Sequence, residues 1–345
     1  MKPLKIIAVT TLILPFVFFL ISFQSTEGAI MNDKTGNSDS KIQIVFAAYA
    51  EDKTELENTL LLAESVRTFG GKYKDAPIWI YAPDSLMSAH KELIAKLGGY
   101  GAQVKSSFAP EESMKYYFSG KTFAAAKAES EAQGKAVILV WMDEDTIVLR
   151  EPDALNLPAG ICLGYRPVMH QLIGSTYSEP PDAFWSRVFE KLSVSDSSFF
   201  PVMTVADEIT IRPYFNAGLI AVRPERGILR KWVEDFRILY RDTVFLEMTK
   251  KEPRIRVFLH QVALSGAILT TVNRNEMLEL SGSYNYWMFF KRMFGGLHEF
   301  DSIDSAVTLR FHDYFMNPDP EWSQKLKGPA ELILWLRDRL DKETK

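Results

Sequence analysis

The chain has 345 residues, 47% of them hydrophobic, with 44 acidic and 40 basic side chains and a formal net charge of −4. That near-balance supplies no field for nucleic acid, and the roughly 300 residues beyond the N-terminal segment suffice for one large domain or two small ones. A single cysteine, Cys162, excludes an intramolecular disulfide and a cysteine-based zinc site. Within the apolar run 161–164 it reads as a buried, inert thiol.

Lys2 and Lys5 precede an apolar run over residues 6–23 that contains Pro15. This is the pattern of a secretory signal or a single membrane anchor. Glu27 spoils a small-x-small cleavage site ending at Ala29, so the reading leans to an uncleaved anchor over residues 1–30, then a polar tether over 31–40. The basic start favours a cytoplasmic N-terminus with the domain exported, while Lys34 and Lys41 pull the other way. The chain is therefore expected to be membrane-anchored, or secreted if the segment is cleaved, with the side of the membrane open.

Residues 41–50 (KIQIVFAAYA) open the globular part as a first strand. Thr54 and Glu57 give a capping-box signature for a helix running to about Phe69. A second strand is expected over 76–82, a helix over 85–97 stopped by Gly98 and Gly99, and a short strand over 103–105. An alanine-rich helix over 121–133 leads into residues 136–149 (AVILVWMDEDTIVL), whose apolar first half reads as a buried central strand. Beyond Pro152 short strands are expected at 161–165, 208–212 and 215–222. Helices over 226–247 and 256–268, a late strand over 307–311 and a closing helix over 328–340 follow. The β-α order implies a mostly parallel, Rossmann-like α/β sheet with helices on both faces and no internal repeat, in one domain over 41–345.

Asp143, Glu144 and Asp145 end the central strand, where open α/β sheets bind ligands. Three acids there are costly unless a cation meets them, so Asp143 and Asp145 are candidates to hold a divalent metal carrying a phosphorylated ligand. An ordinary strand end with exposed acids is the alternative. Hard cations such as Mg²⁺ and Mn²⁺ take oxygen ligands, and Mn²⁺ accepts a histidine. His312, at the end of the late strand, is the candidate third ligand. His170 lies in a loop and could touch a ligand, whereas His90 and His298 sit in surface-like contexts. Asn216 and Gly218 interrupt the apolar strand 215–222. A small residue there marks close approach, and an asparagine offers both donor and acceptor to sugar hydroxyls.

Taken together, IVFAAYA at the first strand, WMDEDTIVL at the acid cluster and YFNAGLIAVRP downstream resemble GT-A-fold glycosyltransferases. The likeness is nearest to the glycogenin-like family and spans most of residues 41–315. The resemblance implies that Asp143 and Asp145 hold Mn²⁺ (or Mg²⁺) against the diphosphate of a nucleotide sugar, a UDP-sugar foremost. It implies that Ala48 and Tyr49 lie beside the base, and that Lys127, with Lys121 as the nearby alternative, is directed at the donor. Asn216 and Gly218 would line the sugar pocket, and Gln261 would match the glutamine of the family's D-Q pair. The acceptor, a glycan, lipid or protein, stays open. The sequence departs from the family pattern at His260, which stands where the carboxylate of D-Q is expected. It departs again after His312, where the glycine and lysine of the family's closing histidine motif are missing. Asp207 and Glu208 are alternative carboxylates for an inverting mechanism. Two other classes remain: a haloacid dehalogenase-type phosphatase with Asp143 as nucleophile and Asp145 as acid/base, and an inactive sugar-binding GT-A-like protein. In the latter, Trp141, Trp185, Tyr284, Tyr286 and Trp287 could stack on sugars.

Overall fold

A computed structural model describes residues 41–288, 302–311 and 321–341. The expected anchor and tether, His298 and His312 lie outside the described residues. In chain order the first half comprises β1 (Ile42–Tyr49), α1 (Lys53–Phe69), β2 (Ile78–Ala82), α2 (Asp84–Ala89), α3 (Lys91–Gly99), β3 (Ala102–Ser106), α4 (Ser119–Ala132), β4 (Ala136–Met142) and β5 (Thr146–Val148). Then come β6 (Leu163–Pro167), α5 (Ala183–Leu192), β7 (Val202–Met203), β8 (Thr210–Ile211), β9 (Phe215–Val222), α6 (Ile228–Arg241), α7 (Thr243–Lys251) and α8 (Arg254–Thr271). The described remainder holds β10 (Met277–Glu279), β11 (Tyr286–Trp287), β12 (Thr308–Arg310), α9 (Trp322–Lys325) and α10 (Ala330–Leu340).

Seven strands form the main sheet in the order β10-β6-β9-β4-β1-β2-β3. Every pairing is parallel except those of β9, which runs antiparallel to both β4 and β6. This is the mostly parallel, Rossmann-like α/β sheet expected from the sequence. Its strands are apolar without interruption because both faces are covered. Along β1 the side chains alternate: Val45, Ala47 and Tyr49 enter one core layer with residues of α4, α5, α6 and α8, while Ile44, Phe46 and Ala48 enter the other with residues of α1 and α3. A second sheet, β11-β12-β5, packs its apolar side chains against α10. β5 directly follows the acid cluster, so this small sheet is tied to the end of β4.

Local signals shift three boundaries. The cap of α1 is Asp52, whose side chain accepts from the Glu55 N–H at 2.9 Å, while Glu55 accepts from the Glu51 N–H at 2.7 Å. The expected box at Thr54 and Glu57 thus lies two residues too late, because Asp52 is itself a strong cap. The helix expected over 226–247 is divided at Asp242, which ends α6 and whose carboxylate accepts from Val244 N–H at 3.0 Å to start α7. A carboxylate that bonds nearby backbone competes with helix continuation. Likewise the second helix breaks at His90, whose backbone leaves the helical region.

Candidate active site

Antiparallel pairing of β4 with β9 brings the two motifs together. Met142 pairs with Leu219, and the next residue, Asp143, donates its N–H to the Gly218 carbonyl at 2.9 Å. The β5–β12 pairing, with Thr146 opposite Arg310, carries a buried arginine to the same place. Arg310 bridges the two aspartates. Its Nη1 lies 2.5 Å from Asp143 Oδ2, its Nη2 donates to Asp145 Oδ2 at 3.0 Å, and its Nε meets Asp145 Oδ1. The Lys121 ammonium contacts Asp143 Oδ1 from the first turn of α4. Residue Phe118, which precedes that helix, takes a left-handed backbone (φ 58°), uncommon for a bulky side chain. All four charged groups are nearly or fully buried, and Asp145 has no exposure.

The charge arrangement explains the titration of the group. Burial alone would raise the Asp143 carboxyl, but Arg310 and then Lys121 outweigh it and hold it below the usual carboxylate range. The same acids keep Arg310 protonated, against its burial. Glu144 has no such partner. Burial and then the charges of Asp145 and Asp143 push it far up. Glu55, across the cleft mouth, is raised to about 7, chiefly by burial.

Lys121, Asp143, Glu144, Arg310 and Glu55 line a cleft of about 440 Å³, a size suited to a small ligand. Asn216 lines it, with Oδ1 accepting from Gly218 N–H at 2.7 Å and from Asn285 Nδ2 at 3.1 Å. Gln261 also lines it, its Oε1 accepting from Ala217 N–H at 3.3 Å. His260 beside it is pushed down to about 3 by burial and by the Lys121 charge, so the group in place of the family's carboxylate is a neutral imidazole. Tyr49 faces the cleft, with Gly120 packed closely on its ring. Gly218 is required by proximity: a Cβ there would meet Arg310 Nη1, and would lie 2.9 Å from both Asn216 Oδ1 and Asp143 Oδ2.

Several expectations are corrected. Ala48 points to the opposite core layer and does not line the cleft, because strand side chains alternate. Lys127 is 43% exposed and donates to the Ser106 carbonyl at 2.6 Å; Lys121, one and a half turns earlier, is the lysine at the acids. Asp207 supports His170, with Oδ2 3.2 Å from Nδ1, and neither it nor the exposed Glu208 lines the cleft. Trp141 and Trp287 reach the cleft, while Trp185 and Tyr284 are core. Cys162 is buried, and burial raises its thiol, as expected of an inert residue.

The expected third ligand, His312, lies outside the described residues, so the structure shows here only what Asp143 and Asp145 themselves meet. The oxygens a divalent ion would take already face the guanidinium and ammonium groups. Among the described residues no three His, Cys, Asp or Glu side chains gather as a metal site. Arg310 was missed from the sequence, although a lone arginine in the apolar run VTLRF is itself a signal: a buried charge demands a partner.

A family model described as Rhodobacterales glycosyltransferase domain matches residues 47–271. No curated protein matches the chain significantly. Similar solved structures include galactosyltransferase LgtC in complex with donor and acceptor sugar analogs, at 14% identity over 86% of this chain and 99% of that one, with a TM-score of 0.45. Mouse xyloside xylosyltransferase 1 is 12% identical over 78% of this chain and 98% of its own, at 0.44. The apo bifunctional glycosyltransferase WbbM is 12% identical over 88% of this chain and 52% of its own, at 0.46. At such scores they add nothing to the reading of the site.

Proposed function

The chain belongs to the Rhodobacterales glycosyltransferase domain family, and from that premise we propose that its cleft binds a nucleotide-diphospho-sugar and transfers the sugar to an acceptor hydroxyl. The observation that carries this is the meeting of the acid cluster, the Asn216–Gly218 segment and Gln261 on one wall of the 440 Å³ cleft. In the transfer, the bond from the anomeric carbon to the diphosphate oxygen breaks and its electron pair stays with the diphosphate. A new bond forms to the acceptor oxygen, whose proton is released. The diphosphate belongs at the cationic wall of Arg310 and Lys121. Asn216 and Gln261 then hold sugar hydroxyls, since each amide offers donors and an acceptor. Tyr49 packs at the nucleotide end. The neutral His260, whose Nδ1–H donates to the Val257 carbonyl at 2.9 Å, leaves Nε2 to accept one hydrogen bond there but supplies no charge to a developing oxocarbenium ion.

The expected Mn²⁺ does not enter this scheme, because Asp143 and Asp145 already have cationic partners; no step is routed through an ion. Residues 1–30 are proposed to hold the domain at a membrane or to export it, and protease protection of membrane fractions decides between the two sides. Donor and acceptor identity are tested by incubating the protein with a panel of sugar nucleotides and following nucleoside diphosphate release. We expect one donor class to be consumed, and Asp143→Asn to lower turnover at least about a hundredfold by releasing Lys121 and Arg310 from their positions. An inactive sugar-binding protein would consume none, and that result would overturn the reading.

A further inference from the structure

We propose that this transferase carries its cation within its own chain: Arg310 and Lys121 hold the donor diphosphate in the place where Asp143 and Asp145 would otherwise require a divalent metal. The proposal rests on the donor reading above and goes beyond it by assigning the group that offsets the leaving-group charge.

Three observations carry it. The first is occupancy. The two side chains present three carboxylate contacts from Arg310 and one from Lys121, so the inward oxygens of both aspartates face nitrogen. The second is charge balance. Two cationic side chains against two carboxylates leave the cluster neutral, the same sum a divalent ion would give. A third, independent observation is that the surroundings are shaped around the guanidinium. Trp287, paired with Arg310 across β11 and β12, places its ring 5.1 Å from the guanidinium carbon. Gly218 lacks the Cβ that would strike Nη1. Lys121 is similarly backed by the Phe118 ring at 5.8 Å. Both neighbours leave room for, or pack on, the guanidinium where it meets the aspartates.

The chemistry follows from the donor types. Arginine has five N–H groups in a planar fork and lysine three around a point charge, so each can satisfy a carboxylate and still direct a donor into the cleft that both line. Diphosphate oxygens match that fork bidentately. The aspartates then act as positioning residues. They fix two long cationic side chains in one geometry before the donor arrives, and they do not touch it.

The test uses purified full-length protein stripped with EDTA and desalted. Binding of UDP, GDP, CDP and ADP is measured by titration calorimetry in EDTA and again with Mn²⁺, and Mn²⁺ binding alone is followed by its paramagnetic resonance. We expect one nucleoside diphosphate to bind in EDTA with an affinity that Mn²⁺ changes less than about twofold, and no stoichiometric Mn²⁺ binding. Arg310→Gln should weaken that binding at least about tenfold in EDTA. With Asp143 and Asp145 released, it should gain Mn²⁺ binding and recover nucleotide affinity when Mn²⁺ is added. Lys121→Met should weaken binding without creating a Mn²⁺ site, and the wild-type arm stands by itself if a variant fails to fold. Nucleotide binding that appears only with Mn²⁺ overturns the built-in cation while leaving the donor reading intact. Binding by Arg310→Gln equal to wild type in EDTA also overturns it. No nucleoside diphosphate bound under either condition overturns the donor reading and this proposal together.

Discussion

Arg310 is the cation shared by Asp143 and Asp145, and its removal has a structural cost separate from any ligand. Arg310→Ala leaves Asp143 and Asp145 buried without their shared partner, and breaking a buried pair costs about 3–5 kcal/mol. Urea unfolding should show a loss of that order. Adding Asp145→Asn should return part of it, since the second substitution removes one of the stranded charges. Gly218→Ala acts by steric displacement. Its methyl meets Arg310 Nη1, so turnover should fall at least about tenfold with a smaller loss of thermal stability, measured as kcat beside Tm. The two lysines separate cleanly. Lys121→Ala should abolish most turnover, while Lys127→Ala, which loses a surface bond to Ser106 and a 4.0 Å ion pair with Glu131, should stay within about twofold of wild type.

Elements are joined here by buried acids at helix starts. Glu129 on α4 is fully buried and accepts from Arg230 N–H at 2.8 Å, so it caps α6 from a neighbouring helix. Burial raises its carboxyl to about 7, against the opposing backbone N–H groups of Arg230, Leu229 and Ile228. A carboxyl with a folded value above its unfolded one binds an extra proton when folded. Its contribution is therefore full below about pH 4.5 and declines as pH rises to about 7. Thermal melts across that window should show a falling stability, on the order of 3 kcal/mol from this group, and Glu129→Gln should flatten the slope. At α1, Asp52→Ala should cost about 1 kcal/mol by removing the side chain that accepts from Glu55 N–H.

Across the whole molecule the cleft opens at the carboxyl ends of β1 and β4, the general position for ligands on α/β sheets. What is particular is the antiparallel β9, which lays Asn216 and Gly218 beside that end, and the small sheet that returns the chain to it from far downstream. Both devices are built from residues of the unit Lys41–Lys345. A protein of residues 41–345 should fold and bind the same nucleoside diphosphate within about twofold of the full chain, checked by the same titration.

Local chemistry sufficed for much of this. Uninterrupted apolar runs identified β1, β2, β4 and β9 because a sheet covered on both faces needs no polar alternation. The costly acids at the end of β4 and the small residues within β9 marked the cleft wall before any fold was in view. Asn216 and Gly218 from that reading, and Tyr49 and Gln261 from the family resemblance, all line the cleft. What the sequence alone could not decide was which charge answers Asp143 and Asp145. A metal and a pair of cationic side chains satisfy the same electrostatic demand, and nothing local distinguishes them. Arg310 stands 165 positions from Asp145, and only the register of β12 on β5 places its guanidinium between the two carboxylates. Strand parity likewise turned Ala48 away, and the pitch of α4 chose Lys121 over Lys127. Those are consequences of how elements face one another, and they exist only once the sheet has formed.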